Sequence, residues 1–189
     1  EERIQFNEDT LWTGTPGGWN NPKSLTILPI VRQLVFKGRY REASEVSKQM
    51  QGPFNQAYQP FGDLYLDFDH DTATEYHREL DLDSAVATVT YTSGDATFTR
   101  EILSSYPDRV IAVRLTCDKV GRLSFTARMS SKLRYETVSQ SPDTILLRGQ
   151  CPRHVITFNW AKSFVYDDES AANCMRFEAR LRIIPDGGE

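Results

Sequence analysis

From residue 63 onward, apolar side chains recur at every second position. Leu64, Leu66 and Phe68 share one face. Leu123, Phe125, Ala127 and Met129 alternate with Ser124, Thr126, Arg128 and Ser130, and Met175, Phe177, Ala179, Leu181 and Ile183 alternate with Arg176, Glu178, Arg180 and Arg182. Successive side chains of a strand point to opposite faces, so this period specifies strands with one wet and one buried face. Turn signals punctuate the runs. Ser93-Gly94-Asp95 separates 86–92 from 96–104, Asp118-Lys119-Val120-Gly121 follows the alternating Ile111, Val113 and Leu115, and Ser141-Pro142-Asp143 precedes Thr144–Arg148. Residues 4–12 and 154–160 read as further strands. Residues 161–174 read as a polar surface loop with Asp167-Asp168-Glu169 at its tip. Many short strands joined by turns predict a mainly β fold, an antiparallel super-β-sandwich. No segment alternates strand, helix and strand, which excludes a doubly wound sheet.

One insertion breaks the pattern. Over 22–36, Leu25, Leu28, Val31, Leu34 and Val35 form a helical stripe, with Asn21 as N-cap and Pro29 inside as a kink or a start. Gly38 ends that helix. A second helix is expected over 39–50, with Tyr40, Ala43, Val46 and Met50 at spacings of three and four, stopped by Gly52-Pro53. The two form one helical hairpin inserted between strands.

Bulk properties narrow the function. With 22 Lys and Arg against 26 Asp and Glu, the formal net charge is −4 and no basic face for nucleic acid is evident. No run is long and apolar enough for a membrane span. The three cysteines, Cys117, Cys151 and Cys174, lack zinc-ligand spacing and read as buried thiols, or as one disulfide plus a free thiol. The opening Glu1-Glu2-Arg3-Ile4-Gln5-Phe6 reads as domain interior, so the compartment is not settled.

Catalytic patterns are sparse. A glycosidase needs two facing carboxyl groups, about 5–5.5 Å apart for retention or about 6.5–9.5 Å for inversion. Glu8 and Asp9 are adjacent and, in an extended segment, face opposite ways. Glu79, Asp81 and Asp83 share the exterior of a strand, where solvation accounts for them. His70, His77 and His154 form no metal-ligating pair, and no nucleophile elbow or phosphate loop is present. No catalytic residue, metal site or cofactor is therefore assigned. The loop with Trp12, Trp19, Asn20 and Asn21, and the segment around Tyr58, combine aromatic rings with amides. That chemistry suits a sugar surface, or equally a domain interface, as does His154 at a strand start.

The strings themselves resemble a family. Asn7-Glu8-Asp9-Thr10-Leu11-Trp12-Thr13-Gly14 with Asn20-Asn21-Pro22, then Tyr58-Gln59-Pro60-Phe61-Gly62-Asp63-Leu64, Tyr76-His77-Arg78-Glu79-Leu80-Asp81-Leu82, Ser105-Tyr106-Pro107-Asp108 and Met175-Arg176-Phe177-Glu178 resemble, in order, the N-terminal domain of glycoside hydrolase family 95. The resemblance implies α-L-fucosidase chemistry: inverting hydrolysis of terminal α-1,2-linked L-fucose by an α/α barrel that carries the catalytic groups. Residues 1–189 are then expected to be a partial N-terminal β-sandwich domain, without its first strands and without the barrel, and inactive alone. The implied partners are the α/α-barrel catalytic domain of the same polypeptide and, through it, a fucosylated glycan, with no nucleic acid and no membrane. Secretion or a periplasmic location is what the family implies. The alternatives are an independent carbohydrate-binding module and a sandwich of a related family such as the disaccharide phosphorylases, against which the Asn-Glu-Asp-Thr-Leu-Trp string argues. Residues 156–174 match least well.

Overall fold

The computed structural model describes every residue except 15–16, 19, 53–55, 71, 159–160, 167–173 and 188–189, and leaves the side chains of 157, 158, 161 and 162 undescribed. The chain is a set of antiparallel sheets with one helical hairpin, as the alternation predicts. Three strands, β1 (Glu2–Phe6), β2 (Gly62–Phe68) and β7 (Phe125–Ser130), form one sheet in the order β1-β2-β7. A four-stranded meander joins β3 (Thr74–Asp81), β4 (Val86–Ser93), β5 (Ala96–Ser105) and β6 (Val110–Cys117). A third sheet pairs β8 (Arg134–Ser141), β9 (Thr144–Gln150) and β12 (Arg176–Arg182) in the order β12-β9-β8. The hairpin of β10 (His154–Phe158) and β11 (Ala161–Val165) stands as a two-stranded pair.

Register explains the core. Leu64 lies opposite Ile4 and Met129, and Leu66 opposite Ala127, so one face of the first sheet is apolar. On the third sheet, Phe177, Ala179 and Leu181 of β12 sit beside Gly149, Leu147 and Ile145 of β9. These faces, with Val113 and Leu115 from β6, enclose one cluster around Leu11, Leu66, Leu147 and Phe177. Each large apolar side chain buried there stabilises the fold by about 1.5–3 kcal/mol relative to exposure. Gly149 is required by the packing. A Cβ there would lie 2.2 Å from the Phe177 ring and 2.8 Å from the Arg134 carbonyl oxygen. A second cluster, Val89, Tyr91, Ala96 and Phe98, lies on the four-stranded sheet.

A buried ion pair crosses between sheets. Glu2 shares the apolar face of β1 with Ile4, yet is only 7% exposed, and its carboxylate takes the guanidinium of Arg100 on β5, also 7% exposed. Arg100 is stacked between Phe68 and Tyr91, at 4.6 and 4.8 Å from the ring centroids.

Several details depart from the sequence reading. The first strand is Glu2–Phe6, not 4–12, because Glu8 starts a turn in which the Leu11 N–H bonds the Glu8 carbonyl. Residues 161–165 are strand β11, not loop; they find hydrogen bonds by pairing with β10, which composition does not announce. The expected acidic tip at 167–169 falls outside the described residues. The exposed strand β8 has no apolar period and escapes a pattern search. Asp83 does not share a face with Glu79 and Asp81, since it belongs to a turn closed by the Asp81 carboxylate.

The helices are α1 (Ser24–Phe36) and α2 (Tyr40–Ser47), the latter running into a 3-10 turn, Lys48–Met50. Pro29 sits inside α1 without ending it. The end comes at Gly38, φ +73°, where the Gly38 and Arg39 N–H groups bond the Val35 and Leu34 carbonyls in a Schellman motif. Ile27 is the buried residue of α1, flanked by half-buried Leu28, Val31 and Leu34. Leu25 and Val35, placed on the stripe by spacing, are exposed.

Candidate functional site

The segment 8–14 is a loop held by its own side chains. The Glu8 carboxylate accepts from the Thr10 backbone N–H at 2.9 Å and from the Thr10 hydroxyl, and these hydrogen bonds hold its pKa below the usual value. Leu11 then enters the core while Trp12 turns outward, its indole N–H donating to the Asp9 carbonyl at 2.9 Å. Residues 11–13 pair with 57–59: the Thr13 N–H bonds the Ala57 carbonyl, and the Gln59 N–H bonds the Leu11 carbonyl, both at 2.9 Å. This bridge sets Trp12 against Tyr58, edge to face at 5.6 Å, each 43% exposed. Beside them Gln59 is buried. Its amide N–H groups donate to the carbonyls of Ala57 and Tyr58, and its side-chain oxygen has no partner among the described residues.

Trp12 and Tyr58 are thus brought together, and the other candidates are not part of that pair. The Asn21 amide is consumed at the base of the helical hairpin, donating to the Gln49 and Gln51 carbonyls at 2.8 Å and accepting the Lys23 N–H at 3.0 Å. That is an Asx turn preceding the helix. Asn20 is exposed, and Trp19 lies outside the described residues. His154 is half-buried at the start of β10, opposite Val165. The loop does reach this strand's approach, since the Gly14 N–H bonds the Pro152 carbonyl at 3.2 Å.

The structure also gathers residues that spacing did not connect. A surface depression of about 340 Å³ is lined by Glu8, Thr10, Leu11, Phe61, Arg176 and Glu178, among others. Its floor is aromatic, with Phe61 meeting Phe177 edge to face at 4.9 Å. Arg109, in the β5–β6 turn, adds a positive charge that favours ionised Glu8. Three of the quoted strings, those at 7–14, 58–64 and 175–178, therefore converge on this corner. The signal in the sequence was their joint occurrence, not any periodicity.

Two carboxylates, Glu8 and Glu178, line this depression, which invites comparison with a glycosidase pair. Electrostatics argues otherwise. Glu178 accepts from Arg148 at 2.7 Å and from Arg180 at 3.3 Å, and these hydrogen bonds and charges lower its pKa. A general acid must hold its proton near neutrality, which requires a raised pKa in at least one member. Both are lowered here. The acids of β3 fare no better. The Asp81 carboxylate is lowered by the Ser84 hydroxyl and the Asp83 N–H, and Glu79 lies 3.2 Å from His77 on an exposed edge. Among the described residues, no group of three or more His, Cys, Asp or Glu side chains is placed to hold a metal ion.

Residues 1–189, the whole chain, match the family model described as "Glycosyl hydrolase family 65, N-terminal domain". The chain is 36% identical over 198 aligned residues to "Alpha-L-fucosidase 2" of Arabidopsis thaliana, an alignment covering 99% of this chain and 23% of that protein. It is 32% identical over 124 residues to "Probable alpha-fucosidase A" of Aspergillus niger, covering 61% of this chain and 15% of the relative. The corresponding figures for "Probable alpha-fucosidase A" of Aspergillus oryzae are 29% over 122 residues, 60% and 17%. The chain thus spans less than a quarter of the length of these curated relatives.

Proposed function

The chain belongs to this family of glycoside hydrolase N-terminal domains, and on that premise we propose that it is the non-catalytic N-terminal domain of a multidomain α-L-fucosidase of the family 95 type. In this reading a separate α/α barrel of the same polypeptide hydrolyses terminal α-1,2-linked L-fucose with inversion, and the sandwich supports it. The observation that carries the proposal is the 36% identity to an α-L-fucosidase across 99% of the chain. The site chemistry agrees with it, since Glu8 and Glu178 are both held ionised and neither is poised to protonate a leaving group. The test is made on the longer polypeptide. Glu8→Gln and Glu178→Gln each keep an acceptor oxygen, and each should leave kcat on a terminal α-1,2-fucoside within about threefold of wild type, with β-fucose as the first anomer released. A loss of about a thousandfold in either variant would place catalysis in this domain and overturn the proposal.

A second reading, an independent carbohydrate-binding module, draws on the Trp12–Tyr58 pair. Two aromatic rings, each 43% exposed and held at 65° to one another beside a backbone bridge, offer a stacking surface for a sugar ring. Calorimetric titration with fucosylated oligosaccharides discriminates. Binding that disappears in Trp12→Ala supports the module, and a flat titration of the wild-type protein removes it.

A further inference from the structure

The helical hairpin buries one side of α1 and leaves the other open. Ile27, Val31 and Leu34 face inward, at spacings of four and three. On the opposite side, Leu25, Pro29, Arg32 and Phe36 recur at four, three and four residues, one continuous stripe along the helix. Leu25 is 81% exposed and Phe36 86%, and Tyr40 at the start of α2 extends the apolar patch at 68%. Nothing in α1 or α2 needs these side chains for its own stability. The Schellman turn closes α1, and Asn21 and Ser24 bond the carbonyls of Gln49, Met50 and Gln51 to zip the hairpin's base. Large exposed apolar patches on a well-ordered element mark interaction surfaces.

Charge states the character of the partner. The hairpin carries Lys23, Arg32, Lys37, Arg39, Arg41 and Lys48 against Glu42 and Glu45, whereas acids outnumber bases, 26 to 22, over the whole chain. Both hairpin acids are already engaged, Glu42 with Arg39 and Glu45 with Lys48. Arg32 stands within the apolar stripe itself, and Lys23, Lys37 and Arg41 form no ion pair among the described residues and carry the remaining charge. A surface that is apolar along its centre and cationic around it complements an apolar recess rimmed by carboxylates.

We infer that this stripe is the docking surface through which the domain seats on the remaining, catalytic portion of its own polypeptide, which presents an acidic, partly apolar face to it. The inference rests on the reading of the chain as one domain of a longer fucosidase. The curated relatives supply the occupant's size, since the chain accounts for only 23% and 15% of the lengths of two of them. An intramolecular partner is favoured because tethering gives it an effective concentration that a separate protein rarely reaches.

Hydroxyl-radical footprinting of the monomeric longer polypeptide tests this without a folding-sensitive variant. Phe36 and Tyr106 are both 86% exposed in the domain, so Tyr106 on the β5–β6 turn is an internal reference. Labelling is normalised to the denatured chain. The expected result is at least fivefold less labelling at Phe36 than at Tyr106. The double charge reversal Arg32→Glu, Arg41→Glu should bring Phe36 back to the Tyr106 level while the hairpin amides stay protected from hydrogen exchange. Equal labelling of Phe36 and Tyr106 in the monomer would overturn the inference. So would protection appearing only as concentration rises or when anionic vesicles are added, which would assign the stripe to a second copy or to a lipid surface. Fucosidase activity is read in the same sample. An active enzyme with Phe36 labelled freely refutes the docking alone, and an inactive polypeptide with Phe36 protected refutes the fucosidase reading alone.

Discussion

The buried pair of Glu2 and Arg100 gives the sharpest test of how the sheets are joined. Glu2→Gln removes the negative charge and keeps an acceptor of nearly the same shape. Arg100 then remains buried between Phe68 and Tyr91 with no counter-charge in contact, because the neighbouring cation Arg78 offers none. Breaking a buried ion pair from one side costs about 3–5 kcal/mol, and the retained amide oxygen places this variant near the lower end, about 3 kcal/mol. For a chain of this size that lowers Tm by about 6–12 °C. Arg100→Met should cost less, about 1–2 kcal/mol, since Glu2 keeps Arg78 at 3.9 Å and Arg78 is more than half exposed. The double variant Glu2→Leu, Arg100→Met replaces both charges by apolar volume and should lie within about 1 kcal/mol of wild type. Chemical denaturation followed by tryptophan fluorescence reads all the variants, including the single Glu2→Leu that completes a cycle with Arg100→Met. A cost below about 0.5 kcal/mol for Glu2→Gln, or simple additivity of Glu2→Leu and Arg100→Met, would refute the claim that the pair acts as one buried unit.

Three further outcomes follow from local geometry. Gly149→Ala forces a methyl group against the Phe177 ring and the Arg134 carbonyl oxygen, and should destabilise the protein by about 1–3 kcal/mol in denaturant titrations, whereas Gly121→Ala, with open space but φ +71°, should cost about 1 kcal/mol. The Asp143 carboxyl is held down to about 2 by hydrogen bonds from Ser141, Thr144 and Arg182. Its stabilising contribution is therefore complete above the unfolded value of about 3.9 and fades as pH falls through about 2, so Asp143→Asn should flatten the stability–pH curve in that window, and an unchanged slope would contradict it. Burial pushes the Cys151 thiol up to about 11, with Cys174 adding to the shift. At pH 8 only roughly 0.1% of such a thiol is ionised, so a thiol reagent should modify half-buried Cys117 at least about a hundredfold faster than Cys151, read by mass spectrometry of the native protein.

Much of the architecture was legible because one physical signal repeats. Where a strand has one wet face, as in β7 and β12, alternation names both faces, and the structure buries Phe177 and Met129 as that pattern requires. Strand β8 is exposed along nearly all its length and gives no such signal, and β11 is only five residues long with Phe164 its one half-buried side chain among those described, which is why both escaped. The apolar stripe of α1 was misphased for a related reason. Leu25, Ile27, Leu28, Ile30, Val31, Leu34, Val35 and Phe36 surround the helix, and composition alone cannot say which side is covered. At the candidate site, the aromatic character of Trp12 and Tyr58 was readable, but their contact depends on a bridge between residues more than forty positions apart. Glu2 and Arg100 were invisible for the opposite reason. A charged residue at an inward position breaks the alternation, and only its partner on another sheet makes the placement affordable. Glu178 read as an ordinary exposed acid of the last strand until the fold placed it in the lining of the same depression as Glu8.

The central proposal is that this domain belongs to a fucosidase-type hydrolase whose chemistry lies outside residues 1–189. Its most direct test compares fucose release from a terminal α-1,2-fucosyl oligosaccharide by the 189-residue chain and by the longer polypeptide containing it, at equal molar concentration. The account predicts turnover by the longer polypeptide and none above the buffer rate by the chain alone. Sustained turnover by the 189-residue chain, abolished by Glu8→Gln or Glu178→Gln, would contradict it.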